Sequence, residues 1–269
     1  METKLAIIGA GNLGTSFVKG LLQSENYLPA NFFLTRRNVL KLNPFEALGC
    51  EISSNNLAAI KTADIIVLAV LPQKINEVLD EISKELKSDQ LLISLVSGVK
   101  ISHIQERIGN DIPVIRAMPN TAIAIRESMT CLCTVPAFES KMVIAIDLFE
   151  MLGETVVINE EQMTSATALC ACGIAFFLRA IRAASQGGNE IDFHASEALK
   201  MAAQTAKGAA SLLIANNSHP EDEIDKVTSP KGCTIAGLNE MEHNGFSSAF
   251  IKGIKVSATQ AAELYNNKS

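Results

Sequence analysis

Two hydrophobic periods divide this chain. Up to about residue 158, short apolar runs alternate with segments in which apolar residues return every three or four positions. Leu5-Ala6-Ile7-Ile8 predicts a buried strand, and Phe17, Val18, Leu21 and Leu22 then mark one face of a helix. The alternation continues with a strand at Phe32 to Thr35, a helix from Asn38 to Leu48, a strand at Cys50 to Ile52 and a helix from Leu57 to Lys61. Strands at Asp64 to Val70, Leu91 to Leu95 and Pro113 to Arg116 alternate with helices at Gln73 to Leu86 and His103 to Ile108. Late strands at Met129 to Thr134 and Thr155 to Ile158 flank a helix from Ser140 to Leu152. This order predicts an α/β fold with a doubly wound, mostly parallel sheet.

From Glu160 onward β-branched runs disappear and Ala-rich helical patterns take over: Thr164 to Gln186, Asp192 to Asn216, Thr234 to Asn244 and Ser247 to Asn266. The change of period places a domain boundary near Asn159, with an α/β domain at 1–158 and an all-helical domain at 159–269. Segments apolar on more than one face, such as Ala195 to Ala215, hide that surface by pairing with a second copy, so a homodimer is expected.

The first strand runs straight into Gly9-Ala10-Gly11-Asn12-Leu13-Gly14 and then the first helix. In that strand-turn-helix setting, G-x-G-x-x-G is a dinucleotide fingerprint and the sheet is of Rossmann type. Gly9 permits the tight turn, Gly11 admits a pyrophosphate and Gly14 lets the helix pack close. The second strand ends in Thr35, Arg36 and Arg37, where an NAD-specific protein usually carries an acid for the ribose hydroxyls. A hydroxyl and two guanidinium groups suit a 2′-phosphate, which favours NADP(H) over NAD(H).

Near the other end, Val227-Thr228-Ser229-Pro230-Lys231-Gly232-Cys233-Thr234 opens directly into an amphipathic helical pattern. Such a loop presents free backbone N–H groups at the positive end of a helix. It suits a small carboxylate, with the Thr234 hydroxyl beside it for a polar atom.

Composition excludes several other classes. A chain of 269 residues with 48% apolar content buries a large core, and a net charge of −6 without a basic block argues against a nucleic-acid surface. Apolar runs such as Ile65 to Leu71 are strand-length, which argues against a membrane span, and the first strand starts too early for a signal peptide. A soluble, cytoplasmic protein is expected. The cysteine pairs Cys131-x-Cys133 and Cys170-x-Cys172 lack zinc spacing, and the four histidines are scattered, so reduced thiols, capping or surface histidines and no metal are expected.

Several of these stretches together resemble the pyrroline-5-carboxylate reductases, nearly end to end. Beside the glycine fingerprint, Ala69-Val70-Leu71-Pro72 is similar to the family's A-V-K-P, and Ser94-Leu95-Val96-Ser97-Gly98-Val99 to S-x-x-A-G-V. Arg116-Ala117-Met118-Pro119-Asn120-Thr121 matches R-x-M-P-N-T, and Val227 to Leu238 follows V-T-S-P-G-G-T-T-I-A-G-L. The resemblance implies hydride transfer from NAD(P)H to the cyclic imine of pyrroline-5-carboxylate, giving proline. Thr234 then falls at the substrate-binding Thr, with Ser229, Gly232 and Cys233 around the carboxylate. Asn56 falls near the adenosine end, and Ala69, Val70, Pro72, Ser97, Gly98, Met118, Pro119 and Asn120 line the cofactor side. It also implies interlocked helical domains, in dimers or larger ring-like assemblies.

The chain departs from the family where S-G-S-G-P-A becomes Cys170-Ala171-Cys172-Gly173-Ile174-Ala175, where a Lys becomes Leu71, and where a loop Gly becomes Lys231. Three other activities compete: a reductase of another imine, an NADP-dependent dehydrogenase of small hydroxy acids, and a weakly catalytic NADPH-binding dimer. The dehydrogenase needs a general base early in the helical domain, and the helix there offers only Arg179 and Arg182, whose guanidinium groups stay protonated.

Overall fold

The computed structural model describes residues 3–263. Residues 264–266, the end of the last expected helix, lie outside the described residues. The chain forms β1 (Leu5–Ile8), α1 (Asn12–Gln23), β2 (Phe32–Thr35), α2 (Asn43–Glu46), β3 (Glu51–Ser53), α3 (Asn56–Thr62) and β4 (Ile65–Leu68). There follow α4 (Ile75–Ile82), β5 (Leu91–Ser94), α5 (Ile101–Ile108), β6 (Val114–Met118), β7 (Ser128–Cys133), α6 (Met142–Glu150) and β8 (Gly153–Val157). The remainder is helical: α7 (Met163–Ala166), α8 (Gly173–Glu190), α9 (Ala195–Asn216), α10 (Pro220–Lys226), α11 (Cys233–His243) and α12 (Phe246–Glu263).

One eight-stranded sheet runs in the order β3-β2-β1-β4-β5-β6-β7-β8, parallel except for the antiparallel β6–β7 pair. Alternation along each strand feeds two cores, because successive side chains leave opposite faces. Leu5, Ile7, Val67 and Ile93 join Phe17, Val18 and Phe149 on one face, with the Phe17 and Phe149 rings 5.6 Å apart. Ala6, Ile8, Ile66 and Leu92 join Ile60, Leu79, Ile104 and Met163 on the other.

The expected helix from Asn38 to Leu48 is two short pieces, a 3-10 turn at Val39–Leu42 and then α2. Pro44 cannot donate an amide hydrogen to a continuous helix, so the ladder breaks there. The expected helix from Gln73 to Leu86 is a 3-10 turn at Pro72–Lys74 followed by α4, which stops at Ile82. The Ala-rich segment Thr164 to Gln186 contains a π-helical turn at Thr167–Cys172 and runs on to Glu190.

Two compact units divide at Cys172/Gly173, the first also taking in residues 257–263. By compactness the division thus comes later than the change of period near Asn159, for a physical reason. Glu160 accepts from the buried Arg116 of β6 at 2.8 Å and from the amide of Ile101, which opens α5, at 2.7 Å. Met163, Ala166 and Ala168 are buried as well, so this segment completes the sheet unit although its pattern is helical.

In the second unit α8 and α9 pack together, and a Cβ at Gly188 would come within 2.9 Å of the Ala198 Cβ. Phe250 gathers Phe176, Phe177 and Phe246 at ring distances of 6.1, 5.4 and 5.9 Å. Much apolar surface stays open all the same: Phe177, Leu178, Leu212, Ile214 and Ile251 are all exposed. Strand-length runs argue against a membrane span, yet the helical stretch Glu160–Glu190 is, by length and composition alone, long and apolar enough to cross one.

Candidate functional site

The carboxyl ends of β1, β2, β4 and β5 are in register, with Ile8 opposite Thr35 and Leu68, and Leu68 opposite Ser94. The loops leaving them therefore share one edge of the sheet, where a doubly wound fold meets its ligand. Gly9 has φ +83°, and a Cβ there would collide with the Val70 side chain and come within 3.1 Å of its Cα, so only glycine fits. The turn is held by the amides of Gly9 and Ala10, both donating to the Thr35 carbonyl at 3.1 and 2.8 Å.

Gly11 differs in a useful way. A Cβ there would meet nothing closer than the Gly9 oxygen at 3.8 Å, so the space above the turn is open, as a pyrophosphate requires. No side chain caps α1, which leaves the first-turn amides around Asn12 and Leu13 available to an anion. Gly14 lets α1 approach the sheet: its Cβ would lie 3.2 Å from Ile7 and 3.3 Å from Ala69.

At the end of β2, the buried Thr35 hydroxyl donates to Asn56 Oδ1 at 2.7 Å, and Arg36 donates to the Ala10 carbonyl at 3.2 Å. Arg37 is exposed. Asn56 Nδ2 donates in turn to Glu81 Oε2 on α4 at 2.8 Å, a partner that no local pattern announces. Pro72 begins the turn into α4.

Further along the edge, Ser97 and Gly98 are half-buried after β5, and Ser97 donates to the Met118 sulfur at 3.8 Å. Met118 and Pro119 are buried, so they shape the floor rather than offer open surface. Asn120 is tied down on both sides: its Oδ1 caps the following turn through Ala122 N at 2.9 Å, and its Nδ2 donates to the Cys170 carbonyl at 3.3 Å. Cys170 lies in the π turn, with its sulfur 3.8 Å from that of Cys131 on β7. The S–H of Cys131 holds the Cys170 thiol below the ordinary thiol range, while the same bond and burial raise Cys131. This pair joins residues of different couplets, a contact that the spacing of neither couplet announces.

In the helical unit, Lys231 has φ +57° and Gly232 N donates to the Ser229 carbonyl at 2.9 Å, closing a tight turn. A Cβ at Gly232 would collide with the Ser229 hydroxyl and come within 3.0 Å of its carbonyl oxygen. Gly232 is the N-cap of α11 and supplies no capping side chain, so the amides of Cys233, Thr234 and Ile235 have no helical acceptor. The half-buried Thr234 stands in that first turn. His194 and His219 both occupy N-cap positions, and His219 Nδ1 accepts from Glu221 N at 3.2 Å.

A Rossmann-type sheet with an open glycine turn, followed by a helical unit, defines a nucleotide-dependent oxidoreductase. A profile described as "NADP oxidoreductase coenzyme F420-dependent" matches residues 4–98, and one described as "Pyrroline-5-carboxylate reductase dimerisation" matches residues 160–264. Pyrroline-5-carboxylate reductase 2 of Dictyostelium discoideum is 44% identical over 96% of this chain and 92% of its own length. Pyrroline-5-carboxylate reductase 1 of the same organism is 48% identical over 99% of the chain, which spans about half (51%) of that longer relative. The crystal structure of Plasmodium falciparum pyrroline carboxylate reductase with NADP bound superposes with a TM-score of 0.88 at 25% identity, covering 98% of this chain and 99% of that one. The chain belongs to the pyrroline-5-carboxylate reductase family.

Proposed function

We propose that the protein reduces 1-pyrroline-5-carboxylate to proline with NADPH. Membership of the family supports the activity, and one local observation carries the assignment of the substrate site: the Ser229 to Thr234 turn leaves the first amides of α11 without acceptors beside a half-buried Thr hydroxyl. Those amides hold the substrate carboxylate, helped by the positive end of the helix. The Thr234 hydroxyl hydrogen-bonds the imine nitrogen and orients the ring; its own proton is held too tightly for free acid catalysis at neutral pH. NADPH, when bound, supplies the hydride for the imine carbon. The open turn at Gly11, with the amides of Asn12 and Leu13, takes its pyrophosphate, while Thr35, Arg36, Arg37 and Asn56 take the adenosine end. Ala69, Val70, Pro72, Ser97, Gly98, Met118, Pro119 and Asn120 shape the rest of that side.

The helical unit pairs with a second copy, supported by the dimerisation match and by exposed Phe177, Leu178 and Ile214, and dimers associate further into rings. A cytoplasmic setting is supported by the free state of all six cysteines. The decisive experiment mixes purified protein, NADPH and pyrroline-5-carboxylate and follows absorbance of the reduced nicotinamide together with proline. Matched loss of one and gain of the other is expected; consumption of NADPH without proline would assign a different imine. Light scattering then reads the assembly.

A further inference from the structure

We propose that Glu81 is a specificity-determining residue that weakens the hold of the site on a 2′-phosphate and so narrows the preference for NADPH over NADH. The inference rests on the reading that the adenosine ribose lies beside Thr35 and Asn56.

Both ends of the Asn56 amide are engaged. Its oxygen accepts from Thr35 at 2.7 Å, which leaves its Nδ2 hydrogens as the donors to face a ligand, and Glu81 Oε2 already holds one at 2.8 Å. Glu81 fixes the orientation, because a carboxylate only accepts and must face Nδ2, which leaves Oδ1 for the Thr35 hydroxyl. A 2′-phosphate brought to Asn56 must share that amide with a carboxylate.

The carboxylate is also uncompensated. Among the described residues no lysine, arginine or histidine pairs with Glu81. One turn earlier on α4, Glu77 pairs with Lys74 at 2.7 Å, and the positive field of Arg37 reaches it as well. Arg36 spends a guanidinium hydrogen on the Ala10 carbonyl at 3.2 Å. The adenosine end therefore offers the cationic groups of a 2′-phosphate site together with one full negative charge set against them.

The two cofactors meet that charge differently. A ribose 2′-hydroxyl has a proton to donate and no charge to repel, so a carboxylate suits it. A 2′-phosphate only accepts and is close to a dianion at neutral pH, so the same carboxylate repels it. In NAD-binding relatives of this fold an acid at the end of the second strand does this work; here the acid comes from α4, reached through Asn56, with β2 ending in Thr35.

The test is calorimetric titration of the full chain, without turnover, using 2′,5′-ADP and 5′-AMP as probes. Glu81→Gln, which keeps an acceptor for Asn56, and Glu81→Ala, which removes it, are compared with the unchanged protein at low ionic strength. Both variants should bind 2′,5′-ADP about five-fold more tightly, as removal of one exposed like charge bonded to Asn56 implies. Their affinity for 5′-AMP should stay within about two-fold, and the gain should shrink in high salt as the charges are screened. Unchanged or weakened binding of 2′,5′-ADP by both variants overturns the proposal while leaving the cofactor site in place. Failure of the folded, unchanged protein to bind either probe overturns the cofactor reading, and the proposal with it.

Discussion

The sulfurs of Cys131 and Cys170 lie 3.8 Å apart, fastening strand β7 to the π-helical turn at Thr167–Cys172. Once Cys170 ionises, the Cys131 S–H donates to its thiolate, so the first proton lost by the pair comes from Cys170. Alkylation of Cys170 by iodoacetamide, followed by peptide mass mapping, should reach its half-maximal rate below the ordinary thiol value of about 8.5. Cys131→Ala removes the donor and should move that midpoint up by about one pH unit. An identical midpoint in the variant would remove the assigned cause.

Thr234→Ala should lower kcat/KM for pyrroline-5-carboxylate by roughly 10- to 100-fold, the loss expected for one hydrogen bond to a charged group. Affinity for NADPH, measured by fluorescence titration, should hardly change, and Thr234→Ser should restore most of the rate. Equal turnover in Thr234→Ala and the unchanged protein is the result that dismisses the role.

Lys231 adopts φ +57°, a left-handed conformation that costs a side-chain-bearing residue roughly 1 kcal/mol relative to glycine. Lys231→Gly should therefore raise the unfolding free energy by up to about 1 kcal/mol, less the entropy that glycine adds to the unfolded chain. Denaturant melts read this directly, and a clear loss of stability would show that the lysine side chain contributes more than its backbone costs.

Glu223 accepts from Lys226, Ser218 and Asn216 at 2.8, 2.7 and 3.2 Å, joining the end of α9 to α10. Those bonds lower its carboxyl to about 2 from 4.5. The folded value lies below the unfolded one, so the stabilisation is whole above about pH 4.5 and fades as pH falls toward 2. Hydrogen exchange of α10 should be faster in Glu223→Gln than in the unchanged protein at neutral pH, and the difference should vanish near pH 2. A gap that persists in acid would mean that the charge is not its source.

Much of the frame was legible in the order of residues. Phe32 to Thr35 is a strand with the expected bounds, and β4 and β5 lie within their apolar runs, because parallel strands covered on both faces show up as unbroken hydrophobic stretches. The glycine turn was legible for another reason: the positive φ of Gly9 is a demand of its own backbone, although the side chain that forbids a Cβ there comes from Val70. Other features had no local signal. Helix α10 starts on Pro220 behind a His219 cap, with three acidic residues in its first turn and too few residues to build a hydrophobic period. The antiparallel turn of β7 and the π turn at Cys170 follow from what they pack against.

By itself, then, the order of residues determined the buried strands, the longer helices, the glycine turn after β1 and the family to which the chain belongs. Each of those follows from backbone preference and short-range period. Only the tertiary structure decided that Glu160 closes the sheet unit through Arg116, 44 residues away, that Glu81 holds Asn56 from 25 residues away, and that Cys170 meets Cys131 rather than Cys172. Charges and hydrogen-bond donors recognise partners by distance in space, and that distance exists only after the chain has folded.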